Sequence, residues 1–384
     1  MSRKRITILG ATGSIGRQTL EVVATQADHF VVVGLAAYQN ASELAEQATR
    51  LGVKQCAVVD EAAAESLRRA APGLRVHAGP EGLTQLVADT APDLVVCAVS
   101  GGAGLASLAA TLQNGVDVAL ANKEPLVIAG QFVTDLAKQS GARLLPVDSE
   151  LSAIFQCLQG QPRHAVERLM LTASGGPFSR LSAAEFASIT PEQALRHPTW
   201  RMGQKVTVDS ATLANKGFEI YEARWLFDVP FERIEVVIHH QSIIHSLVEF
   251  RDHSVIAQLG WPDMRVPIQY ALTYPERLEN ALPRLDLAQV ASLTFAAPDL
   301  QRFPCLRLAR EAADRGGGYP AVLSGADEAA VGLFLERRIG FMEIPMLVER
   351  VLDDFGGAVP VSLDEAMQIE EWARGHARSL ATAS

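Results

Sequence analysis

Short apolar runs alternate with amphipathic stretches over the first part of the chain. The helix-like stretches include residues 18–27 and 42–51. Short uninterrupted apolar runs are typical of parallel strands whose sheet is covered on both faces. The runs comprise residues 6–9, 30–35, 57–59, 94–99, 116–120 and 144–147. The pattern predicts an α/β domain, built on a doubly wound parallel sheet, over residues 1–148.

The sequence pattern changes from about residue 169 onwards. Glycine and proline cluster around Gly175-Gly176-Pro177 and at His197-Pro198. The stretch 234–250 indicates paired strands rather than a crossover unit. We predict a central, mixed α+β domain over residues 149–290.

Helical signals dominate after Pro298. Helices are predicted over residues 305–314 and 326–338, from Pro345 to before Gly356, and from Ser362 onwards. Glu365 completes a capping box at the start of the last helix. These short amphipathic helices predict a small C-terminal bundle within residues 291–384.

Length, charge and cysteine usage limit the functions open to this protein. The 384 residues fit two or three domains. A net charge of −10 and a pI near 5.4 argue against a nucleic-acid or anionic membrane partner, because phosphate groups are bound by an excess of Lys and Arg. No apolar window suits a membrane span or a signal peptide, so we expect a cytoplasmic protein. The four cysteines are far apart, which argues against disulfides and a zinc site.

A glycine-rich turn follows the first predicted strand. The sequence Gly10-Ala11-Thr12-Gly13-Ser14-Ile15-Gly16 leads directly into a predicted helix. The backbone amides of such a turn and the helix N-terminus form a pyrophosphate site, so dinucleotide binding is predicted. No Asp or Glu stands at residues 36–40, where NAD enzymes hold the ribose hydroxyls, so NADP is favoured, although no Arg or Lys stands there either. The alternative is a purely structural turn.

Two carboxylates follow the predicted strand 143–147, at Asp148 and Glu150. If this segment is extended, both side chains project to one side at the carboxyl edge of the sheet. Carboxylates held that close repel one another unless a cation lies between them, and oxygen ligands select Mg²⁺ or Mn²⁺. The alternative is a helix N-cap followed by an acidic residue in the first turn.

A third metal ligand is available in the segment 208–222. If residues 215–222 are helical, Lys216 and Glu219 lie on one face, where the ammonium neutralises an anion and the carboxylate reaches a metal ion. Glu222 lies on that face one turn later and is a rival ligand. A solvated ion pair is the remaining alternative for Lys216 and Glu219.

Three further segments carry candidate chemistry. Ser174 opens a turn of two glycines that suits a phosphate, although such loops are common. The segment 197–203 carries a His and a Trp, and it is either a lid over substrate or a loop anchored by its Trp. Lys123 follows a predicted strand and is either a surface charge or a proton-handling and anion-holding group.

Eight segments, in order, resemble the 1-deoxy-D-xylulose 5-phosphate reductoisomerase family. They cover residues 5–305 closely and the C-terminus more loosely, and they are GATGSIG, LANKEPLV, LLPVDSELSAIFQ, TASGGPF, HPTWRMGQKVTVDSATLANKGFEIYEARWLF, QSIIHS, AQLG and PDMR. The resemblance implies a Rossmann-like NADPH-binding domain, a catalytic domain with a flap near residues 197–205, a C-terminal helical bundle and a homodimer. It implies NADPH-dependent and Mn²⁺- or Mg²⁺-dependent conversion of the sugar phosphate 1-deoxy-D-xylulose 5-phosphate to 2-C-methyl-D-erythritol 4-phosphate, in the non-mevalonate isoprenoid precursor pathway.

The resemblance also implies roles for individual residues. The metal ion would be bound by Asp148, Glu150 and Glu219 rather than Glu222, and catalysis would involve these three carboxylates and Lys123. Cofactor contacts would come from Thr12, Gly13, Ser14, Ile15, Asn40, Asn122, Glu124 and Gly203. Substrate contacts would come from Lys123, Ser149, Glu150, Ser174, His197, Trp200, Met202, Ser210, Asn215, Lys216 and Glu219.

The chain departs from the family pattern in three places. Tyr38-Gln39-Asn40 stands where the family has a Gly-x-Asn turn, beside the expected adenosine phosphate. Pro125 replaces a Ser after Lys123. The segment 324–328 replaces a more Asn-rich helix start, a change expected to affect packing rather than chemistry.

Two other functions remain open on the sequence. A semialdehyde or acyl-phosphate dehydrogenase also begins with a GxTGxxG turn, but it needs a nucleophilic cysteine. A catalytically silent NADP-binding sensor would share the fold without needing the three carboxylates.

Overall fold

The chain forms two compact units in the computed structural model, which describes residues 3–179, 181–200 and 202–383. Each unit has its own β-sheet. The predicted domain boundaries at residues 148 and 290 stay a prediction. One unit comprises Met1–Asn122, Val133–Ser152 and Asp263–Leu282, and the other comprises Lys123–Phe132, Ala153–Pro262 and Pro283–Ser384.

The first unit is built on a seven-stranded sheet in which every strand pair is parallel. In chain order the strands are β1 (Lys4–Leu9), β2 (Phe30–Ala37), β3 (Gln55–Val58), β4 (Arg75–Ala78), β5 (Leu94–Cys97), β6 (Asp117–Leu120) and β7 (Leu144–Pro146). The central strands are apolar and buried, as expected for a sheet covered on both faces. The predicted α/β fold with a parallel sheet is confirmed.

Helices alternate with these strands. In chain order they are α1 (Ser14–Thr25), α2 (Ala41–Leu51), α3 (Glu61–Ala70), α4 (Gly79–Thr90), α5 (Leu105–Gln113), α6 (Glu124–Ser140) and α7 (Ser149–Cys157). The side chains of Asn40 and Asp60 cap α2 and α3, each by accepting a backbone N–H of the first turn. Gly52 ends α2 in the left-handed conformation. The helix boundaries therefore follow from local capping residues.

The strand order of the first sheet is β4-β3-β2-β1-β5-β6-β7, so the direction of winding reverses between β1 and β5. Ligands of open α/β sheets bind beyond the carboxyl ends of the strands at such a reversal. The glycine-rich turn lies directly after β1. The topology therefore places this turn where a nucleotide is expected.

Strand β4 is absent from the sequence prediction. Its residues include Arg75 and His77, and it lies at the edge of the sheet, where it pairs with β3 alone. An edge strand is partly open to solvent and does not require a continuous apolar run. Apolar periodicity therefore detects the central strands better than this edge strand.

The second unit contains a four-stranded mixed sheet. Its strands are β8 (Val166–Ala173), β9 (Ile234–Ile238), β10 (Ile244–Phe250) and β11 (Val255–Leu259). The order is β11-β10-β8-β9, with β8 parallel to β9 and antiparallel to β10. The prediction that residues 234–250 form paired strands is wrong in one respect, because β8 lies between β9 and β10. An apolar pattern specifies that a strand forms, but not which neighbour it takes.

The remaining helices complete the chain. They are α8 (Pro191–Ala194), α9 (Gln204–Thr212), α10 (Ala214–Phe227), α11 (Arg265–Thr273), α12 (Leu287–Val290), α13 (Pro304–Arg315), α14 (Tyr319–Leu335), α15 (Glu343–Asp354) and α16 (Leu363–Ala383). Helix α11 belongs to the first unit and packs against α1, whereas α14 packs against α13, α15 and α16 in the second. This last group is the predicted helical bundle. No helix within the described ranges combines the length and apolarity that a membrane crossing needs.

Helix α14 begins at Tyr319 rather than at residue 326, so this predicted boundary is wrong. Ser and Gly are typical of loops, but Ser324 and Gly325 are both buried inside this helix. A Cβ built on Gly325 would lie 2.1 Å from the backbone oxygen of Glu370 in α16. Glycine at this position therefore permits the close approach of α14 and α16.

Gly325→Ala should destabilise the protein, because the added methyl group meets rigid backbone. Overpacking of this kind typically costs about 1–3 kcal/mol. The free energy of unfolding in urea measures the effect. Gly332→Ala, in the same helix with nothing within 4 Å of the new methyl group, is the control and should stabilise the helix by up to ~1 kcal/mol. Equal effects of the two substitutions would contradict the packing argument.

Candidate active site

The glycine-rich turn between β1 and α1 can be built only with glycine at two positions. Gly10 has φ +93°, and a Cβ there would lie 2.2 Å from the backbone oxygen of Ala98. A Cβ on Gly16 would lie 2.2 Å from the backbone oxygen of Gly10. Gly13 occupies the N-cap of α1 and provides no side-chain cap. The start of α1 therefore has no side-chain cap, an arrangement that suits an anion such as a pyrophosphate.

Asn122 lies just beyond β6 and is 7% exposed. Neither atom of its side-chain amide has a hydrogen-bond partner among the described residues. An unsatisfied buried polar group typically costs about 1–3 kcal/mol, so a ligand that binds the amide would recover this cost. The glycine turn and Asn122, both in the first unit, fit a nucleotide cofactor.

The predicted cofactor residue Asn40 has a structural task in this fold. Its Oδ1 accepts the backbone N–H of Glu43 at 3.2 Å, and its Nδ2 donates to the Glu43 carboxylate at 2.8 Å. Asn40 therefore fixes the first turn of α2. Its contact with a cofactor stays a prediction.

Asp148 and Glu150 do not lie in an extended segment, contrary to the prediction. Strand β7 ends at Pro146, and α7 begins at Ser149. The backbone oxygen of Asp148 accepts the N–H of Ser152 at 2.8 Å, as the residue preceding a helix does. Glu150 lies in the first turn of α7, where it accepts a 2.5 Å hydrogen bond from the Ser149 hydroxyl. The helix-start alternative thus describes the local backbone.

Asp148, Glu150 and Glu219 each offer one carboxylate oxygen, and these oxygens lie within 4.8 Å of one another. Glu222 is not a member of this group. Like charges at this separation repel unless a cation lies among them. The donor set, made only of carboxylate oxygen, fits a hard divalent cation.

Glu219 is surrounded by donors within the second unit. Its Oε1 accepts from Asn215 Nδ2 at 2.6 Å and from Lys123 Nζ at 3.4 Å, and its Oε2 accepts from Lys216 Nζ at 2.5 Å. Lys123 Nζ also donates to Asn215 Oδ1 at 2.7 Å. Glu219 is fully buried, and Lys123 and Lys216 are 6% and 4% exposed. The alternatives of a surface Lys123 and a solvated Lys216–Glu219 pair are therefore wrong.

Ser174 and His197 are joined by a hydrogen bond. His197 Nε2 lies 3.1 Å from Ser174 Oγ, and Nδ1 accepts the backbone N–H of Thr199 and of Trp200. Because Nδ1 accepts, the proton of a neutral His197 is assigned to Nε2, which donates to Ser174. The turn lies close to α9, since a Cβ on Gly176 would be 2.7 Å from the backbone oxygen of Ser210. The structure thus brings Ser174, His197 and the buried Ser210 into one region.

The segment after His197 contains three further predicted residues. Trp200 packs against His245, with ring centroids 6.2 Å apart, and Gly203 is the N-cap of α9. Met202 is partly buried, and Arg201 lies outside the described residues. The sequence prediction gave His245 no role, although it stands within the QSIIHS segment and is buried. His245 is far from Trp200 along the chain, so local sequence spacing could not predict that the two rings are in contact.

A second set of largely buried charges lies on α9 and α14. Lys205 Nζ donates to Asp209 Oδ2 at 2.6 Å and to Asp327 Oδ2 at 2.7 Å. Glu124, the buried first residue of α6, adds a further negative charge, and Lys205 Nζ lies 4.9 Å from the ring centroid of Phe218. Asp327 belongs to the segment that departs from the family pattern. This segment therefore contributes a charge beside Lys205 as well as packing contacts.

Three family models match the chain in succession. Residues 6–130 match 1-deoxy-D-xylulose 5-phosphate reductoisomerase. Residues 144–227 match the 1-deoxy-D-xylulose 5-phosphate reductoisomerase C-terminal domain, and residues 259–376 match the DXP reductoisomerase C-terminal domain.

Curated relatives and solved structures cover the whole chain. The 1-deoxy-D-xylulose 5-phosphate reductoisomerase of Chlorobium chlorochromatii is 50% identical over 378 residues, which cover 98% of this chain and 99% of the relative. That of Heliobacterium modesticaldum is 51% identical over 376 residues, covering 97% and 96%. The solved Zymomonas mobilis enzyme in complex with NADPH is 42% identical with a TM-score of 0.91, covering 99% of both chains. A solved DOX-P reductoisomerase in complex with NADPH, fosmidomycin and magnesium is 38% identical with a TM-score of 0.94, covering 99% and 98%.

Asp327→Asn should change how stability depends on pH. Burial and the neighbouring carboxylate of Asp327 raise the pKa of Asp209. A carboxyl whose pKa is raised on folding contributes stability while protonated, and this contribution is lost as the pH rises through the folded-state pKa. The Asn variant removes the like charge and keeps an acceptor for Lys205, so the Asp209 pKa should fall and the loss of stability with rising pH should shrink. Thermal unfolding over a pH series measures this.

Asp228→Asn is the control, because Asp228 forms an exposed ion pair with Arg224 on the same unit. It should leave the pH dependence of wild type unchanged. The same pH dependence in wild type and Asp327→Asn would contradict the argument.

Proposed function

Because the chain belongs to the 1-deoxy-D-xylulose 5-phosphate reductoisomerase family, we propose that separate groups of its residues bind the metal ion, the substrate and the cofactor of one reaction. The protein is an NADP-dependent oxidoreductase that rearranges and reduces 1-deoxy-D-xylulose 5-phosphate to 2-C-methyl-D-erythritol 4-phosphate, in the non-mevalonate isoprenoid precursor pathway. It uses NADPH and a divalent metal ion. The observation that carries the proposal is the carboxylate group Asp148, Glu150 and Glu219, in a chain that matches the family over its whole length.

The three carboxylates would hold the metal ion. Magnesium is present in solved relatives, and Mn²⁺ is proposed as an alternative ion for the same oxygen ligands. When bound, such an ion supplies Lewis-acid polarisation of substrate oxygens. Lys123 and Lys216 would keep Glu219 oriented and balance its charge, since both donate to it.

The substrate would be held at two ends. Lys123, Ser149 and Glu150 would contact the sugar part, and the phosphate would be bound by Ser174, His197, Ser210, Asn215 and Lys216. His197 would approach the phosphate through its Nε2–H, because Nδ1 already accepts two backbone N–H groups. Binding energy from the unreactive phosphate can be used to orient the reacting carbons.

The cofactor would bind along the carboxyl edge of the first sheet. Thr12, Gly13, Ser14 and Ile15 would hold the pyrophosphate, and Asn122, whose amide has no partner among the described residues, would contact another polar group of the cofactor. Asn40, Glu124 and Gly203 would complete the contacts. Bound NADPH supplies the hydride. A flap near residues 197–205, with Trp200 and Met202, would exclude water.

The rival dehydrogenase function lacks a suitable nucleophile. All four cysteines are buried. Burial raises the pKa of Cys56 to about 12 and that of Cys157 to about 11, and it also raises the pKa of Cys305. These three thiols stay protonated at neutral pH, unlike a catalytic thiolate.

We further propose that the protein works as a cytoplasmic homodimer. The four cysteines are not in disulfides, which suits a reducing compartment. Strand β11 lies at the edge of its sheet and exposes Val255 and Ile256 by 48% and 37%. An edge strand with exposed apolar side chains is suited to pairing with a second copy.

Ile256→Lys should weaken the dimer, because it places a charge on the edge of β11. Light scattering coupled to gel filtration should give twice the chain mass for wild type and a lower mass for the variant. Val359→Lys is the control, since Val359 is 69% exposed and lies outside this strand. A monomeric wild type would contradict the proposal.

The function is tested by following the absorbance of NADPH with 1-deoxy-D-xylulose 5-phosphate as substrate. Oxidation should require Mg²⁺ or Mn²⁺ and should stop in excess EDTA, because the carboxylate group needs an ion to act. Glu219→Gln should lose turnover by several orders of magnitude while NADPH binding changes little. NADPH binding without turnover in wild type would favour the silent sensor.

Glu222→Gln is the matched control for the metal assignment, because Glu222 is buried on the same helix but stands outside the carboxylate group. It should retain metal-dependent turnover. Equal losses of turnover and NADPH binding in Glu219→Gln would contradict the assignment of Glu219 as a ligand.

A further inference from the structure

The end of β2 lacks the basic side chain that an NADP site needs. NADP-binding folds meet the 2′-phosphate with an Arg near the end of the second strand, where NAD-binding folds place an acid on the ribose hydroxyls. Strand β2 ends at Ala37, and the chain contains no Lys or Arg from residue 18 to residue 49. Arg17 and Arg50 flank this stretch.

Arg17 reaches the start of α2 from the first helix. It follows Gly16 of the glycine-rich turn, and its guanidinium forms two hydrogen bonds to Glu43, from Nε at 2.6 Å and from Nη2 at 2.7 Å. Glu43 lies in the first turn of α2 and also accepts from the capping residue Asn40 at 2.8 Å. Through Glu43, the Arg17 guanidinium is therefore linked to Asn40, which lies three residues beyond the end of β2.

Gln47 ties this pair to the glycine-rich turn. Its Nε2 donates to Glu43 Oε1 and to the backbone oxygen of Ala11, each at 3.2 Å. Gln47 is 6% exposed. Arg17 and Glu43 thus share one hydrogen-bonded network with the turn that receives the pyrophosphate.

The charge of Glu43 matters for cofactor choice. A free carboxylate at this position would accept ribose hydroxyls and repel a 2′-phosphate, which is the arrangement of an NAD site. The hydrogen bonds with Arg17 lower the pKa of Glu43 and raise that of Arg17, so both groups are ionised and their charges cancel. Among the described residues, the guanidinium uses only two of its five N–H groups, and the Arg17 side chain is 55% exposed.

We propose that Arg17 selects NADPH over NADH, by neutralising Glu43 and by donating its remaining N–H groups to the 2′-phosphate. The inference rests on the NADPH dependence stated above and adds the residue that sets it. It also explains how the chain binds the 2′-phosphate although Tyr38-Gln39-Asn40 contains no basic residue.

Arg50 provides a matched comparison. Arg17, Glu43, Gln47 and Arg50 all line a cavity of about 640 Å³ between α1 and α2. Arg50 lies in the last turn of α2, roughly 10 Å along the helix from Glu43. It carries the same charge as Arg17 but lies far from the end of β2.

The test is direct binding to the full-length protein, by calorimetry, of NADPH, NADH, adenosine 2′,5′-bisphosphate and 5′-AMP. Arg17→Ala should weaken NADPH and the bisphosphate roughly tenfold to a hundredfold, as expected for a lost charge-assisted bond, and should leave NADH and 5′-AMP within about twofold. Arg17→Lys should recover part of the loss, since it keeps the charge but not the paired geometry. Arg50→Ala should bind all four ligands as wild type does.

Adding Glu43→Gln to Arg17→Ala should restore part of the NADPH affinity, because it removes the uncompensated carboxylate. Equal weakening of ligands with and without the 2′-phosphate, or the same loss in Arg50→Ala, would overturn the inference. Wild-type protein that fails to bind NADPH would instead overturn the proposed function, so the two failures are distinguishable.

Discussion

The charge of Glu219 is the constraint on which the second unit depends. This carboxylate is fully buried, and an isolated ion there would be unstable by several kcal/mol. Two ammonium groups and one amide donate to it, and two of these three donors come from the same turn of α10. The third, Lys123, precedes α6. The start of α6 and the start of α10 are therefore held together by the Glu219 carboxylate itself. A metal ion would bind to a Glu219 side chain that is already oriented.

Sequence pattern predicted six strands of the first sheet, two of its helices and the helical C-terminus, but it left out α6 and β8 and did not predict how the strands are ordered. Five of the six apolar runs of the first unit correspond to central strands, because a central parallel strand is buried on both faces and leaves a continuous signal. The sixth run corresponds to β7, an edge strand that is apolar enough to leave the same signal. The edge strand β4 leaves none. The pairing of β8 with β9 and β10 could not be predicted, since it depends on contacts between distant segments.

Residue types pointed to a metal site, but they did not predict its backbone geometry. The residue types at Asp148, Glu150 and Glu219 suggested a hard cation, but the extended backbone assumed for Asp148 and Glu150 was wrong, because a strand can end and a helix begin within three residues. The spacing of Lys216 and Glu219 correctly predicted their contact, since α10 is a regular helix. The contact of Lys205 with Asp327 has no counterpart in local spacing. Long-range ion pairs of this kind require the fold.

The order of strands in the second sheet has a consequence for how the site assembles during folding. Parallel strands β8 and β9 pair Leu169 with Ile234, and the chain between them contains α9 and α10. This long connection carries four predicted site residues, namely Ser210, Asn215, Lys216 and Glu219. Bringing its two ends together has an entropic cost that local contacts alone do not offset. The nascent chain must be synthesised past β9 before these side chains acquire fixed positions. We therefore expect these four side chains to acquire fixed positions only when β8 and β9 pair.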